Sequence, residues 1–548
     1  MIFRDGVATA YRGDISQNDS PLEAPIDQIR LDELPTSSTE VLVVGAGPTG
    51  LMAALVLARR GVPTILIDGK AGPTRESRAL AVQARSMEIY HQLGLSDQVL
   101  TGGYLANRVQ LGSGTEPLGF RIDEAQQADT DFPGLHIFEQ SANEELLAGA
   151  LERTDVDVRW GHRLVALPED DDIGVTALVE GPSGLQRIRA RWCIGADGAG
   201  SAVRRTIGAS FDGITDDAHF FVADLRGVAG LPERCLAARF GEETFALFFP
   251  LGPDGHARIV SMALGDTVDA DEALAKARDD LGISYTDVDW FSSYRVHHRV
   301  ASTFRKGAVF LAGDAAHVHS PVGGQGMNTG LQDAHNLANL LADVASGLVD
   351  AAALERYEAE RRPMARNLVT VTDRVFGVIA GRGRRVAWLR RRLARVVAAI
   401  APRMITGSPG PWLGGLLGQY RIRYHFVAGG RGVTVPRWAD DPTVGRRLPP
   451  VRDGGDAGPD RDSGQNLESL RSFSWQLYCY GGSIGRPDVP DQIEGPHLFG
   501  ADPRGRLRPD RAYLIRPDGY VAASLPIAGS RVEPSGLADA LAAHHIVR

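Results

Sequence analysis

The glycine-rich segment at residues 45–50, GAGPTG, constrains the fold of this chain more than any other feature. The apolar stretch at residues 40–44 predicts a short strand before it, and the apolar spacing of residues 51–60 predicts a helix after it. A second strand is predicted at residues 64–67 and ends at Asp68. The sequence therefore predicts a βαβ unit, which is the context that makes a GxGxxG motif informative.

Each glycine of this motif has a separate task in such a unit. Gly45 permits the tight turn, Gly47 leaves room for a pyrophosphate near the backbone, and Gly50 allows the helix to pack closely. Asp68 lies at the end of the second strand, where an ionised carboxylate can accept hydrogen bonds from ribose hydroxyls. These residues predict a site for an adenosine-containing ligand.

A second cluster also places an acid beside a glycine at the end of a strand. An apolar stretch leads to Asp197, which Gly198 follows. Ser201 is placed to cap a helix, and Arg204 is placed to hold the turn or to meet a phosphate. A plain strand–turn–helix connection is the alternative interpretation of this cluster.

A third cluster begins with an apolar strand at residues 309–312 and continues with Asp314 and a loop rich in Pro and Gly. A helix is expected from about residue 328. The acid suits a polyol or ribose hydroxyl, and the glycines let backbone N–H groups approach a flat or phosphorylated ligand. A helix start adds positive dipole at the same place. This segment alone could hold a whole cofactor.

Length and composition limit the class of protein. The 548 residues exceed what one hydrophobic core supports, so two or three domains are expected, and a net charge of −9 argues against a nucleic-acid binder. Cys193, Cys235 and Cys479 lie far apart without a CxxC, which argues against disulfides or zinc and for the cytoplasm. Neither a secretory signal nor a run of about 18 apolar residues is visible, so no membrane span is predicted.

The pattern of the chain changes twice after the dinucleotide motifs. Between about residues 211 and 264, apolar and alternating stretches with Gly and Pro turns predict an antiparallel sheet. Residues 382–400 combine arginines with an apolar stripe at helical spacing, which predicts a helix packed between domains, with adhesion to an anionic membrane as the alternative. From about residue 433, strand-like pieces and a short helix near Gly536 predict a small α/β domain.

Taken in this order and spacing, the three clusters resemble the flavin-dependent monooxygenases of the para-hydroxybenzoate hydroxylase type, group A, over about residues 39–366. The loop GGQGMN, and GRRLPPV at residues 445–451 before a small α/β domain, are similar to the larger phenol and aromatic-polyketide hydroxylases. Those proteins carry a thioredoxin-like C-terminal domain. The tail of this chain has no CxxC, so the resemblance implies no redox role for it.

The fold class that the resemblance implies is α/β. An FAD-binding Rossmann-like domain of the glutathione-reductase type would carry an inserted, mostly antiparallel β-sheet substrate domain, followed by a C-terminal thioredoxin-like α/β domain. The expected divisions of the chain are an N-terminal extension (1–38), a discontinuous FAD-binding domain (39–210 and 301–380), a substrate domain (211–300, with part of 105–135), a helical connection (381–432) and the C-terminal domain (433–548).

The resemblance also assigns residues to an FAD site. Arg78 would reach the pyrophosphate, Gln140 the ribityl chain, and Asp314 a ribityl hydroxyl. The full set of expected FAD contacts is Gly45, Gly47, Pro48, Thr49, Gly50, Asp68, Arg78, Gln140, Asp197, Gly313, Asp314, Gly326, Met327 and Asn328. The loop expected to line the flavin ring, where the reaction occurs, contains Pro321, Gly324, Met327 and Asn328, and no acid–base residue is assigned. The N–H groups of the last two would face the N1–C2=O edge of the ring.

Substrate contacts are expected on the antiparallel sheet. The candidates are Arg239, Phe245, Leu247 and Phe249, with ordinary core packing as the alternative for the aromatic side chains. Arg239 or His219 could polarise or deprotonate a phenol, or could be an ordinary surface residue. No metal site is assigned, because the histidines between residues 297 and 319 have no carboxylate ligands at a suitable spacing.

The activity implied by the resemblance is hydroxylation of an aromatic, phenolic or polyketide-like substrate, as in antibiotic biosynthesis. FAD would be reduced by NADPH or NADH and would react with O2 to give a C4a-hydroperoxyflavin. Gly69 follows Asp68 where relatives often have a basic residue, so the choice of nicotinamide stays open. Baeyer–Villiger-type oxygen insertion, and a flavin-binding reductase or assembly subunit without oxygenation, are the alternatives. The chain could form a homodimer.

Overall fold

The computed structural model describes residues 2–4, 7–9, 33–75, 79–112, 118–167, 174–263, 269–319, 324–379, 392, 396, 414–415, 418–424, 439–452, 465–481, 489–528 and 531–547. Two predicted site residues, Arg78 and Pro321, lie outside them. So do most of the expected N-terminal extension and of the expected helical connection, including the predicted helix at residues 382–400 apart from Arg392 and Val396.

The strands of the described residues are numbered in chain order. They are β1 (Ile2–Arg4), β2 (Val7–Thr9), β3 (Thr36–Val44), β4 (Thr64–Asp68), β5 (Ala81–Val82), β6 (Tyr104–Ala106), β7 (Arg108–Gly112), β8 (Leu118–Arg121), β9 (Leu135–Ile137), β10 (Asp157–Trp160), β11 (Arg163–Ala166), β12 (Val175–Gly181), β13 (Gly184–Gly195), β14 (Phe211–Arg226), β15 (Cys235–Phe240), β16 (Phe245–Pro250), β17 (Ala257–Met262), β18 (Asp287–Ala301), β19 (Arg305–Lys306), β20 (Val309–Leu311), β21 (His317–Val318), β22 (Gln476–Tyr480), β23 (Glu494–Phe499), β24 (Arg511–Ile515), β25 (Val521–Ala528) and β26 (Arg531–Val532).

The helices are numbered in the same way. They are α1 (Pro48–Arg59), α2 (Ala84–Gln92), α3 (Ser96–Gly102), α4 (Ile122–Gln126), α5 (Gln140–Leu151), α6 (Ala202–Thr206), α7 (Ala270–Leu281), α8 (Gly326–Ala345), α9 (Glu355–Ile379) and α10 (Pro534–Ala543). Short 3-10 helices cover Gly313–Ala315, Ala351–Leu354 and Glu468–Ser472.

The central sheet has eight strands and contains the predicted βαβ unit. Strands β10, β4, β3 and β13 pair side by side and in parallel, and β20 pairs in parallel with the end of β13. The hairpin β11–β12 and the short strand β19 add antiparallel edges. Because β3, β13 and β20 are neighbours and parallel, their carboxyl ends meet at one edge, where ligands of open α/β sheets bind. All three acid–glycine clusters follow strands of this sheet.

The second sheet also has eight strands, in the order β21, β18, β14, β17, β16, β15, β7 and β8. All of its pairs are antiparallel except β15 with β7. Helix α7 covers one face, where Ala273, Leu274 and Ala277 join a cluster with Phe221 and Phe248. This helix leaves the opposite face of the sheet available to line a site.

The C-terminal unit consists of strands β22 to β26, helix α10, the segment 439–452, which bonds to β25 through backbone groups, and the segment 418–424, which bonds to the segment 439–452 in the same way. Its five strands run in the order β23, β22, β24, β25, β26, with one parallel pair. Backbone bonds from Asp350 and Val547 and many side-chain bonds join it to the FAD-binding part. The α/β fold class predicted from the sequence is confirmed, whereas the exact domain bounds stay predictions.

Gly94 separates α2 from α3, because it adopts φ +75° and ends the first of these two helices. Helix α9 continues through Pro363 to Ile379. Among the described residues, no helix combines the length and apolar character that crossing a membrane requires.

Candidate active site

A cavity of about 630 Å³ lies between the carboxyl edge of the central sheet and the uncovered face of the second sheet. The central sheet contributes Gly47, Pro48, Thr49 and Asp314 to its lining. Gln140, the first residue of α5, also lines it. The structure therefore brings together predicted cofactor residues that are far apart in the sequence, from Gly47 to Met327.

The turn between β3 and α1 has room for glycine alone at two of its positions. Gly45 has φ +104°, and a Cβ there would lie 2.3 Å from the Ala196 carbonyl oxygen. A Cβ on Gly50 would lie 1.8 Å from the carbonyl oxygen of Gly45. These two residues do not line the cavity. They hold the turn against the strand end that carries Asp197.

Gly47 has the opposite environment, because nothing lies within 4 Å of where its Cβ would be. It precedes α1, whose start has no side-chain cap and no acid in its first turn. The first N–H groups of a helix have no intrahelical acceptor and carry positive dipole. This opening in the cavity wall would accept an anionic group such as a pyrophosphate.

Asp68 and Asp197 both hold backbone turns beside the cavity without lining it. The Asp68 carboxylate accepts from the N–H groups of Ala46 (2.6 Å) and Lys70 (2.7 Å). One oxygen of Asp197 accepts from the N–H groups of Ala202 and Val203 at the start of α6. Its other oxygen, Oδ1, is buried without a partner among the described residues, and burial raises the pKa of this carboxyl.

Arg204 joins the second predicted cluster to the third. Its guanidinium donates to the carbonyl oxygens of Ala315 (2.8 Å) and Ala199 (2.6 Å), and Ser201 caps α6 by accepting from the Arg204 N–H. Of the two roles that the sequence left open for this arginine, holding the turn is therefore the one that the structure shows.

Asp314 presents its carboxylate to the cavity. Its side chain is accessible from the cavity. The surrounding protein atoms nevertheless desolvate the carboxyl, and this burial raises its pKa. Gly313 precedes it with φ +60°, and a Cβ there would lie 2.5 Å from the Thr49 hydroxyl oxygen. The turn thus packs directly on α1, and its acid has no competing partner among the described hydrogen bonds.

Helix α8 begins at the cavity wall. Gly324, Gly326 and Met327 line the cavity, and the helix start has no side-chain cap and no acid in its first turn. The Asn328 side chain does not line the cavity. It accepts from the N–H of Gln83 (2.8 Å) and donates to the carbonyl oxygens of Ala81 and Gly324, so it fixes the direction in which the helix start points.

The second sheet gives the cavity an apolar wall with aromatic side chains. Phe249 lines it as predicted, together with Val222 and Val260 of neighbouring strands. Trp290 and Tyr294 of β18 line it as well and were not predicted. The alternation W-F-S-S-Y along this strand was the available signal, since every second residue of a strand shares a face.

Three predicted substrate residues do not reach the cavity. Arg239 lies on the α7 side of the sheet, where its guanidinium is 5.7 Å from the Phe248 ring and donates to the Gly230 carbonyl oxygen. Phe245 and Leu247 share the face of Phe249, but the strand carries them away from the cavity into packing contacts. The expectation is wrong for Arg239 because its strand register places it on the opposite face.

The described residues include no group of three His, Cys, Asp or Glu arranged to hold a metal ion. His317, one of the histidines considered from the sequence, bonds instead to Asp333 through Nε2 at 2.8 Å. His219 accepts from Nε of Arg295, which lies at the cavity.

The residues at the cavity fit FAD. The open space at Gly47 and the uncapped start of α1 suit its pyrophosphate, and Asp314 suits a ribityl hydroxyl. The uncapped start of α8 suits the electron-rich edge of the flavin ring. Fold and site together define a flavoprotein of the dinucleotide-binding α/β class.

Comparison with known proteins identifies the family. The model of the FAD binding domain family (FAD_binding_3) matches residues 38–372, and the chain belongs to this family. It is 31% identical over 528 residues to 12-dehydrotetracycline 5-monooxygenase/anhydrotetracycline 6-monooxygenase of Streptomyces rimosus, covering 92% of this chain and 98% of that protein. It is 33% identical over 365 residues to pentachlorophenol 4-monooxygenase of Sphingobium chlorophenolicum, covering 64% and 66%.

A solved structure agrees over nearly the whole length. The OxyS anhydrotetracycline hydroxylase from Streptomyces rimosus superimposes with a TM-score of 0.72 at 29% identity, covering 92% of this chain and 99% of that one. The chain is accordingly an FAD-dependent monooxygenase of the aromatic hydroxylase type, for which NADPH or NADH is the reductant. This family and activity are those that the sequence motifs predicted.

Proposed function

We propose that this protein hydroxylates a multi-ring phenolic, polyketide-like substrate, of the kind that antibiotic biosynthesis produces. The observation that carries the proposal is the wide aromatic and apolar wall, including Phe249, Trp290 and Tyr294, that faces the cofactor half of the same cavity. Flat aromatic ligands pack well against such a surface. The similarity to the tetracycline enzyme extends over the C-terminal unit, whereas that to the pentachlorophenol enzyme covers only 64% of the chain.

Bound FAD, once reduced by NAD(P)H, supplies the activation of O2 that oxygen transfer requires. The chain itself provides orientation and charge stabilisation. The start of α8 at Gly326 and Met327 would stabilise negative charge at the edge of the flavin ring. Asp314 would hold the ribityl chain, and the aromatic wall would orient the substrate ring and exclude water.

Three further statements belong to this proposal. O2 is the co-substrate, the protein acts in the cytoplasm, and two copies form a homodimer. The second is supported by three free cysteines, all buried. The third is tested by light scattering of the purified protein.

The decisive experiment follows NAD(P)H oxidation by the purified protein with a panel of simple phenols and polycyclic phenols or quinones. We expect a yellow protein that consumes NAD(P)H faster with polycyclic substrates and releases a product heavier by one oxygen atom. A colourless protein that takes up no FAD would contradict the proposal. A yellow protein whose NAD(P)H oxidation never yields an oxygenated product would instead be a reductase or an assembly subunit.

Product structure separates hydroxylation from Baeyer–Villiger insertion, since both add one oxygen. We expect a new phenolic or tertiary hydroxyl in the product. A lactone, detected as a ring that opens on mild alkaline hydrolysis, would instead assign the protein to the insertion reaction.

A further inference from the structure

Helix α8 contains many polar side chains that are almost completely buried. They include Asn328, Gln332, Asp333, His335, Asn336 and Asp343, each at most 4% exposed. Burial of such groups is costly unless each finds a hydrogen-bond partner. The helix begins at the cavity and ends beside the C-terminal unit, so its partners connect these two places.

Asp333 holds the turn that presents Asp314 to the cavity. Its Oδ2 accepts from the Gly313 N–H (3.1 Å) and from His317 Nε2 (2.8 Å). Gly313 and His317 flank Asp314 on either side. One fully buried carboxylate therefore fixes both ends of the segment that carries the expected ribityl ligand.

Arg361 of α9 compensates the charge of Asp333. Its Nε donates to Oδ1 of Asp333 at 2.6 Å, its Nη2 to the Thr329 carbonyl oxygen, and its Nη1 to the Tyr424 hydroxyl at 2.9 Å. The Tyr424 ring stacks on Tyr520 with 4.3 Å between ring centroids. Tyr424 and Tyr520 both belong to the C-terminal unit, so the chain of contacts passes from the cavity into that unit.

A second ion pair ties the same helix to the same unit. Arg516, between β24 and β25, donates to both carboxylate oxygens of Glu360 at 2.6 and 3.0 Å. It also donates to both oxygens of Asp518. Glu360 immediately precedes Arg361, and Arg516 is 1% exposed. The C-terminal unit therefore fixes α9 at two consecutive residues.

We propose that the C-terminal unit is a positioning element of the flavin site, an inference that rests on the proposed function. Tyr424 and Arg516 hold α9, Arg361 holds Asp333, and Asp333 holds the turn that carries Asp314. Arg361 and Asp333 are positioning residues, since neither touches the cavity. This proposal assigns a positioning role to a unit that has no CxxC and whose one cysteine, Cys479, is buried.

The test uses the full chain and compares two tyrosine substitutions in the C-terminal unit. Tyr424→Phe removes the hydroxyl that Arg361 donates to. Tyr513→Phe removes a buried hydroxyl whose partners, the Asp441 carboxylate and the Arg508 N–H, lie within the C-terminal unit itself. Both substitutions delete one oxygen atom, but only the first lies on the proposed connection.

Arg361→Gln and Arg361→Lys complete the set of variants. The dissociation constant of FAD is measured by flavin fluorescence, and coupling as product formed per NAD(P)H consumed. We expect the FAD dissociation constant to rise about tenfold or more in Arg361→Gln and severalfold in Tyr424→Phe, with lower coupling in both. Arg361→Lys should recover part of both losses, and Tyr513→Phe should lower Tm alone.

Wild-type FAD affinity and coupling in a folded Arg361→Gln protein would overturn the proposal. So would equal losses in Tyr513→Phe and Tyr424→Phe, because they would mean general destabilisation. If Arg361→Gln does not fold, Tyr424→Phe decides on the same readouts. A wild-type protein without FAD would contradict the proposed function itself, whereas a yellow wild type with unaffected variants contradicts this inference alone.

Discussion

Gly47 and Gly50 lie three positions apart in one motif, yet their surroundings differ completely. A Cβ at Gly47 would enter open space, and a Cβ at Gly50 would overlap the carbonyl oxygen of Gly45. The fold therefore requires glycine at position 50, whereas at position 47 we expect the requirement to come from the FAD pyrophosphate. A motif match alone does not distinguish these two requirements.

Alanine substitutions at these two positions should affect different properties, namely FAD binding at Gly47 and the free energy of unfolding at Gly50. Gly47→Ala should change the free energy of unfolding of the apoprotein by no more than about 1 kcal/mol, the range of helix N-cap substitutions. It should weaken FAD binding about tenfold or more, because the methyl group occupies the approach of the pyrophosphate. Gly50→Ala should cost about 3 kcal/mol through overpacking. Thermal unfolding of the apoprotein and FAD titration measure both, and equal effects on unfolding would contradict this assignment.

Asp314 illustrates a conflict between stability and binding at one residue. Burial raises the pKa of its carboxyl, so the charged form that accepts hydroxyl hydrogen bonds best is disfavoured in the apoprotein. Asp314→Asn should raise the Tm of the apoprotein and weaken FAD binding about tenfold, within the usual energy of a hydrogen bond to a charged group. Asp510→Asn, an exposed acid of the C-terminal unit, is the control. Full FAD occupancy in Asp314→Asn would remove the ribityl assignment.

Two buried histidines should make the free energy of unfolding depend on pH between about pH 6.5 and 3. Burial lowers the pKa of His335 and of His544 to about 3. The unfolded chain binds these protons near pH 6.5, so the unfolded state holds more protons between about pH 6.5 and 3. The free energy of unfolding should therefore fall as pH falls below about 6.5, at most by about 1.4 kcal/mol per pH unit for each histidine.

Urea unfolding between pH 7 and pH 5, at saturating FAD, measures this slope. His335→Gln should reduce it by the contribution of one proton, since glutamine does not titrate. Identical slopes in wild type and His335→Gln would contradict a neutral buried His335.

At the scale of elements, strand β18 contributes Trp290, Ser292 and Tyr294 to the wall of the cavity. Its alternate residues point to the cavity and to the α7 side, so neighbouring aromatic residues have different tasks. Tyr294 lines the cavity, whereas Phe291 stacks on Phe221 of the α7 side with 5.5 Å between ring centroids. The strand thus offers a matched pair of substitutions.

Tyr294→Leu should raise the KM for an aromatic substrate about tenfold, which corresponds to ~1.4 kcal/mol, an aromatic packing contribution. FAD affinity should stay within twofold of wild type. Phe291→Leu should lower Tm without a comparable change in KM. Steady-state kinetics at saturating FAD check both, and equal KM changes would show that the two faces do not have these separate tasks.

The elements also show where sequence analysis succeeds. Residues 45–50, 197 and 314 were predicted to serve one cofactor site, and the structure places their turns at one edge of the central sheet. Such positions can be predicted because a glycine turn after an apolar strand is a local pattern in the sequence. Arg239 was misplaced because its face depends on how β15 pairs with β7 and β16, which no local pattern specifies.

Other features depended on contacts far apart in the chain. Trp290 and Tyr294 escaped prediction because arginine and histidine residues at the end of β18 conceal the alternation. The buried polar residues of α8 also have distant partners, since Asp333 accepts from Arg361 and Asn336 donates to Asp518. A sequence gives the charge of these residues and not the distant partner that neutralises it.

At the scale of the whole molecule, the flavin site is assembled from segments that are widely separated in sequence. Strand β3 begins at Thr36, and its neighbour β13 pairs with β20, which begins at Val309. The turn that carries Asp314 then depends on α8, α9 and the C-terminal unit. Contacts of such large sequence separation form slowly, because the chain loses the entropy of closing a long loop before the contact stabilises the fold.

The position of β20 has a consequence during synthesis on the ribosome. The glycine turn at residues 45–50 emerges early, but the neighbouring strand and the acid that face it emerge more than 260 residues later. The nascent chain must therefore keep the apolar edge of β13 unpaired while strands β14 to β18 of the second sheet are made. Chaperone demand and cofactor loading should both concentrate in the last third of translation, after α8 has left the exit tunnel.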